Sequence, residues 1–190
     1  MKKKEDTGNE KMPDTVFRIM AFTIKINDLF NPPSELVKLA GIKEGMTVVD
    51  YGCGPGSNTI WASEYAGETG LVYAVDIHPL AIEMVTKMAE KNNLSNIKTA
   101  LAKGYNSGLE NETADLVMAL DMFHMIEEPE KFLSEIKRIL KPDGVLFIDD
   151  GHQPRESARN KIIASGLFKI EEENKRFLRC RIKTNTQLSS

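Results

Sequence analysis

Cysteine is nearly absent from this chain, which holds only Cys53 and Cys180 in 190 residues. Neither has a partner at a metal-binding spacing, and two isolated thiols fit a reducing compartment rather than a disulfide scaffold. Long apolar runs are missing too: none approaches the ~20 residues needed to cross a bilayer, so stable membrane insertion is not expected. The 25 basic and 28 acidic residues are well mixed and leave a net charge of −3. Bulk charge therefore gives no reason to expect a nucleic-acid partner. The charged start, Met1-Lys2-Lys3-Lys4-Glu5-Asp6, is not followed by an apolar signal region, so a cytoplasmic location is expected. No internal repeat is visible. With 41% hydrophobic residues, the chain is long enough for one domain with a substantial core.

Organisation follows from punctuation and period. Residues 1 to about 13 are polar and are expected to be disordered at their tip. An apolar segment runs from Asp14 to about Phe30, where Asp14 is placed to cap a helix although Ile24 and Ile26 loosen the helical period. After Asn31-Pro32-Pro33, Ser34 is placed to cap a short helix through Ala40, closed by Gly41. Strands are then expected at Met46–Asp50, Leu71–Asp76, Ile97–Leu101, Ala114–Leu120 and Val145–Asp149. Helices are expected from Ser57 to about Ala66, from Leu80 to about Asn92 with Ile82, Val85, Met88 and Ala89 on one face, and from Pro129. Lys141-Pro142-Asp143-Gly144 reads as the turn ending that third helix. A weaker helix over Arg155 to Ala164 precedes two strand-like segments, Leu167–Glu171 and Phe177–Ile182, suited to a hairpin. Strands alternating with helices imply an α/β fold with a parallel sheet covered on both faces.

The most informative stretch is Val48-Val49-Asp50-Tyr51-Gly52-Cys53-Gly54-Pro55-Gly56-Ser57. A β-branched run ends in an acid, and three alternate glycines lead into a helix start. Glycine lets backbone approach a ligand closely, and the helix N-terminus adds unpaired N–H groups and a positive dipole end. Because position 57 is Ser, the dinucleotide spacing Gly-x-Gly-x-x-Gly is not met. In these residues the chain resembles the class I S-adenosylmethionine-dependent methyltransferases, from about Met46 to the C-terminus. The resemblance implies a Rossmann-like, doubly wound, mostly parallel seven-stranded sheet with an antiparallel terminal hairpin. It implies residues 1–40 as a tail and helical cap, and residues 41–190 as the methyltransferase domain.

The resemblance also implies a cofactor, S-adenosylmethionine, and residues to hold it. Asp50 would organise the loop and the methionine amino group, and Gly52, Gly54 and Gly56 would admit the methionine and ribose portions. Tyr51, Cys53, Gly104 and Leu120 complete the expected cofactor set. Asp76, ending the second strand, is suited to accept from both ribose hydroxyls and lies near the expected ribose-acid separation of about 20 residues. Ile77 would pack on the adenine face. One departure stands out: in Leu101-Ala102-Lys103-Gly104-Tyr105, Lys103 occupies the place where many relatives carry an acid for the adenine amino group. Lysine cannot accept there, so the base is expected to be held by backbone, by Tyr105 stacking, or less firmly.

Asp121, His124 and His152 are the candidate catalytic residues. Histidine suits proton transfer near neutral pH, while the apolar run around His124 also suits a satisfied structural histidine. Asp149-Asp150-Gly151-His152 invites a metal reading, but adjacent acids on a strand point in different directions, and no metal is assigned. Arsenic methylation would call for several cysteines near the pocket, which the chain lacks. The expected reaction is in-line methyl transfer to an O, N, S or C atom of a small-molecule acceptor. Two other readings remain at this point: a non-catalytic S-adenosylmethionine-binding protein and a nicotinamide-dependent oxidoreductase. The segment Val16–Phe30 has three: a lid over the cofactor, a partner or membrane surface, or ordinary core cover.

Overall fold

The computed structural model describes residues 11–184, and most of the expected disordered tip lies outside them. Two N-terminal helices, α1 (Asp14–Phe30) and α2 (Ser34–Leu39), precede an alternation of strands and helices: β1 (Thr47–Tyr51), α3 (Ser57–Ala66), β2 (Leu71–Asp76), α4 (Pro79–Lys91), β3 (Ile97–Leu101) and β4 (Ala114–Ala119). The chain continues through α5 (Pro129–Ile139), β5 (Leu140–Ile148), α6 (Arg155–Ala164), β6 (Phe168–Glu173) and β7 (Leu178–Ile182). The seven strands form one sheet of order β3-β2-β1-β4-β5-β7-β6. Pairings among β1 to β5 are parallel, whereas β7 runs antiparallel to both β5 and β6.

Strand period sorts the core into layers. Val48, Leu116 and Met118 pack with α2 and α3 on one face of the sheet, while Val49, Val117 and Ala119 pack with α5 and α6 on the other. Phe132, Leu133, Ile136 and Ile139, the apolar side of α5, are all fully buried. The order in which strands are added reverses between β1 and β4: β2 and β3 build to one side, β4 and β5 to the other. A crevice therefore opens at the carboxyl ends of these strands, where ligands bind in folds of this kind.

Several local expectations need correction. Neither Asp14 nor Ser34 caps its helix, because Pro13 and Pro33 occupy the N-cap positions and no side-chain cap bond forms. The buried stripe of α4 is Ala81, Val85 and Ala89, with Ile82 only half-buried. Lys141–Gly144 does not separate helix from strand but lies within β5. Leu140 pairs with Ala114 and Val145 with Leu116, so five steps along β5 match two along β4 and the excess bulges outward. Pro142, which cannot donate to a ladder, sits in that bulge.

The helix α1 is continuous through Ile24 and Ile26, and it has two apolar faces. Only Phe17 and Ala21 are buried. Val16, Ile19, Phe22, Ile26, Leu29 and Phe30 are exposed, so core cover accounts for a minority of its apolar residues.

Candidate functional site

The crevice is a cavity of about 680 Å³ bounded by the glycine loop, the ends of β1, β2 and β4, and the inner side of α1. The loop begins where Gly52 N and Cys53 N both donate to Val75 O, 2.7 and 3.1 Å away, tying it across to β2. Gly52, Gly54 and Gly56 all take left-handed φ values of 78°, 50° and 92°. Their surroundings differ, and only one faces open space. A Cβ on Gly52 would press on Met122 Cγ at 3.0 Å, and one on Gly56 would meet Met88 Cε at 3.0 Å and Val85 Cγ2 at 3.1 Å. Nothing lies within 4 Å of a Cβ on Gly54. At Gly52 and Gly56, packing and conformation already require glycine.

Asp50 lies beneath the loop, 1% exposed, and accepts from Thr59 Oγ1 at 2.6 Å. Burial pushes its carboxyl up to about 6, against the Thr59 hydrogen bond, and the nearby Asp76 charge adds to the rise. Asp76 accepts from Gly54 N at 2.9 Å through one oxygen and from His78 N at 2.8 Å through the other. Burial raises its carboxyl as well, partly offset by those backbone donors. Each oxygen keeps acceptor capacity beyond the bond it already makes. Ile77, Gly104, Leu120 and Tyr105 line the same cavity. Tyr51 and Cys53 border it, yet their side chains belong to the core: the Tyr51 ring stands edge-on to Phe132 at 5.3 Å, and Cys53 is buried beside Phe17 and Val85. Tyr51 Oη donates to Tyr105 O at 2.7 Å, and Glu128 N donates to Tyr105 Oη at 3.0 Å, so Tyr105 is held at both ends. Lys103 is exposed in a tight turn closed by mutual backbone bonds with Asn106 and does not line the cavity.

Sequence reasoning missed the fastening of α1. His78 Nδ1 accepts from Leu80 N at 3.2 Å, which leaves Nε2 to carry the proton and donate to Met12 O at 3.1 Å. Its ring stacks on Phe17 with centroids 4.0 Å apart, and Asp28 of α1 accepts a hydrogen bond from Ser57 Oγ at the start of α3. Pro79 after His78 marks a helix start, but nothing in the spacing links either residue to α1.

At the cavity's other end, the loops after β4 and β5 meet. Asp149 accepts from Asp121 N at 2.8 Å and from Gly151 N at 3.1 Å through one oxygen, which staples the two loops together. Burial pushes the Asp149 carboxyl up to about 6, against the Asp121 N–H bond. Gly151 has a φ of 57°, and any side chain there would collide with His124 Nδ1. That nitrogen is buried with no partner among the described groups. Desolvation lowers the His124 pKa, against the pull of Asp121, which favours the neutral ring. His152 Nε2 lies 3.4 Å from Asp121 Oδ1, and the two histidine rings meet edge to face at 5.0 Å. All three candidate catalytic residues thus converge. Asp150 turns away to an ion pair with Arg155 at 3.0 Å, so the run Asp149 to His152 does not close as a ligand set of its own.

A family model described as a methyltransferase domain matches residues 42–186. The chain is 31% identical over 116 residues to a rat thiol S-methyltransferase, covering 60% of this chain and 46% of that one. A solved methyltransferase structure from Aquifex aeolicus superposes with a TM-score of 0.78 at 24% identity, covering 91% of this chain and all of that one. A crystal structure of coclaurine N-methyltransferase, bound to N-methylheliamine and S-adenosylhomocysteine, matches 66% of this chain and 35% of its own at 27% identity, with a TM-score of 0.53. The chain spans about half the length, or less, of the curated relatives it matches.

Proposed function

The chain belongs to the methyltransferase domain family, and from that membership we propose that it binds S-adenosylmethionine and passes its methyl group to a small-molecule acceptor. The observation that carries the reading is Gly54. It alone of the three loop glycines faces open space, and its N–H is held by Asp76 at the edge of the cavity. The methionine portion would lie along the loop above Asp50, the ribose hydroxyls on the free lone pairs of Asp76, and the adenine between Ile77 and Tyr105. The family match sets the nicotinamide reading aside.

Methyl transfer breaks the bond from carbon to the sulfonium sulfur, whose charge vanishes as the pair returns to it, so no strong acid is needed. The protein's part is to hold the nucleophile ~3 Å from the methyl, in line with the departing sulfur, and to keep water out. Apolar α1 residues such as Met20 and Ile24, with Met122 and Met125 opposite, support an apolar or amphipathic acceptor under a helical lid. If the nucleophile carries a proton, the Asp121, His124 and His152 cluster stands ready to orient it or take it. No helix among the described residues is long and apolar enough to cross a membrane. Two buried free thiols support a reducing, cytoplasmic setting.

Calorimetric titration with S-adenosylmethionine, S-adenosylhomocysteine and NAD tests the reading. Micromolar-range binding of the two sulfur compounds with NAD silent is expected. NAD binding alone would overturn it.

A further inference from the structure

We propose that Asp121, His124 and His152 form a binding site for a first-row divalent transition metal ion at the acceptor end of the cavity. The observation is convergence. One ligand atom from each residue lies within 4.8 Å of the other two, and all three residues line the cavity. The pair His152 Nε2 and Asp121 Oδ1 is already 3.4 Å apart. Two ligands held ~2.1 Å from one ion at a tetrahedral angle are separated by about that distance. His124 supplies the third corner, with its ligand atom within 4.8 Å of the other two.

The support behind these ligands is built rather than incidental. They come from two loops that no local sequence signal holds together, and the Asp149 carboxylate joins those loops through the Asp121 and Gly151 amides. Asp121 takes a left-handed φ of 53° at the turn that presents its carboxylate. Glycine at 151 lets the β5 loop pass against the His124 ring. No hydrogen bond within the described protein engages His124 Nδ1, so nothing commits the ring to another role. Two imidazoles and one carboxylate select for Zn²⁺, Fe²⁺, Co²⁺ or Ni²⁺ over Mg²⁺ or Ca²⁺, which take mostly oxygen ligands. Three protein ligands leave at least one position for an exchangeable group, as in catalytic rather than structural sites.

This deepens the methyl-transfer reading and rests on it for its chemistry, though not for the binding itself. An acceptor hydroxyl or thiol that coordinates the ion gives its proton to solvent and becomes a bound anion. Its lone pair forms the new bond to the methyl carbon as the carbon–sulfonium bond breaks. The pair from that bond returns to sulfur as a neutral thioether, and no oxidant or reductant is consumed. A neutral ether or thioether product binds the ion weakly and leaves.

The test is optical titration of the untagged, chelator-treated chain with Co²⁺, whose visible bands report imidazole ligation. One equivalent is expected to bind, and His152→Ala, at a side chain 79% exposed, to weaken that binding at least roughly 10-fold without unfolding the protein. Asp121→Asn should act in the same direction. Absence of saturable binding, or binding that both variants leave intact, overturns the proposal. S-adenosylmethionine titrated into the same stripped protein reads the cofactor separately. Silence there with cobalt binding intact would sink the methyl-transfer reading and leave the metal site standing.

Discussion

Replacing Asp50 by Asn should make the unliganded protein more stable and its cofactor binding worse. Asp50 is buried, and its carboxyl is raised from 3.8 to about 6. Between roughly pH 4 and pH 6 the folded state therefore holds a proton that the unfolded chain has released. Stability falls as pH rises through that window, because the native state binds more protons there. Above it the carboxylate is charged in both states, and the folded protein carries the whole cost. A gap of about two units corresponds to about 3 kcal/mol, an upper figure for one buried group. Asparagine keeps the shape and an acceptor for Thr59 Oγ1 at 2.6 Å, but it has no charge to bury. D50N is thus expected to gain up to about 3 kcal/mol at pH 7.5, a rise in melting temperature of roughly 6–12 °C for a domain of this size. The gain should shrink to nothing near pH 4. In exchange, on the proposed reading the methionine ammonium above the loop would lose the field of the charge beneath it, and S-adenosylmethionine affinity should drop by about 10-fold or more. Thermal unfolding of both forms from pH 4 to 8, with calorimetry of the ligand at pH 7.5, reads both effects. A variant less stable than the parent at pH 7.5, or a stability difference that does not change with pH, would refute the account of Asp50 as a charge held against desolvation.

The other site residues separate by kind of damage. Asp76→Ala should weaken S-adenosylmethionine binding by roughly 10- to 100-fold in calorimetry, since it removes both the proposed ribose acceptor and the partner of Gly54 N. Gly54→Ala should cost about 1–2 kcal/mol of stability, from left-handed strain alone, and a larger share of cofactor affinity because its Cβ enters open cavity. Gly56→Ala should reverse that balance in paired denaturation and binding curves, adding about 1–3 kcal/mol of overpacking against Met88 and Val85. His78→Ala should leave the sheet intact and release α1, seen as faster cleavage within residues 11–30 in limited proteolysis. Cleavage at the parental rate would show that the Phe17 stack and the Met12 bond do not hold the lid.

The framework was legible because it rests on period. The buried apolar runs of β1 and β4, the apolar side of α5 and the strand–glycine–helix punctuation are local patterns, and these elements formed within a residue or two of their expected places. What escaped is non-local. Pro142 and Gly144 carry every local mark of a turn, and only the ladder with β4 turns them into a bulge inside a strand. The helix α1 reads as irregular because it has two apolar faces: one borders the cavity, the other lies open. Its clip, His78, reaches a residue that no spacing rule pairs with it.

The site at the acceptor end is the instructive middle case. Asp121, His124 and His152 are each legible as residues after a strand and as candidates for one pocket, whereas a metal pattern is visible in sequence only in four consecutive residues of one loop. Topology draws the ligands from further apart. β4 and β5 are parallel neighbours, so whatever follows one must meet whatever follows the other at the carboxyl edge of the sheet. Asp149 and Asp150 then fall out of the ligand set, the first by bonding both loops and the second by pairing with Arg155. Ligands drawn from two loops can close on one ion, whereas adjacent residues of an extended chain diverge.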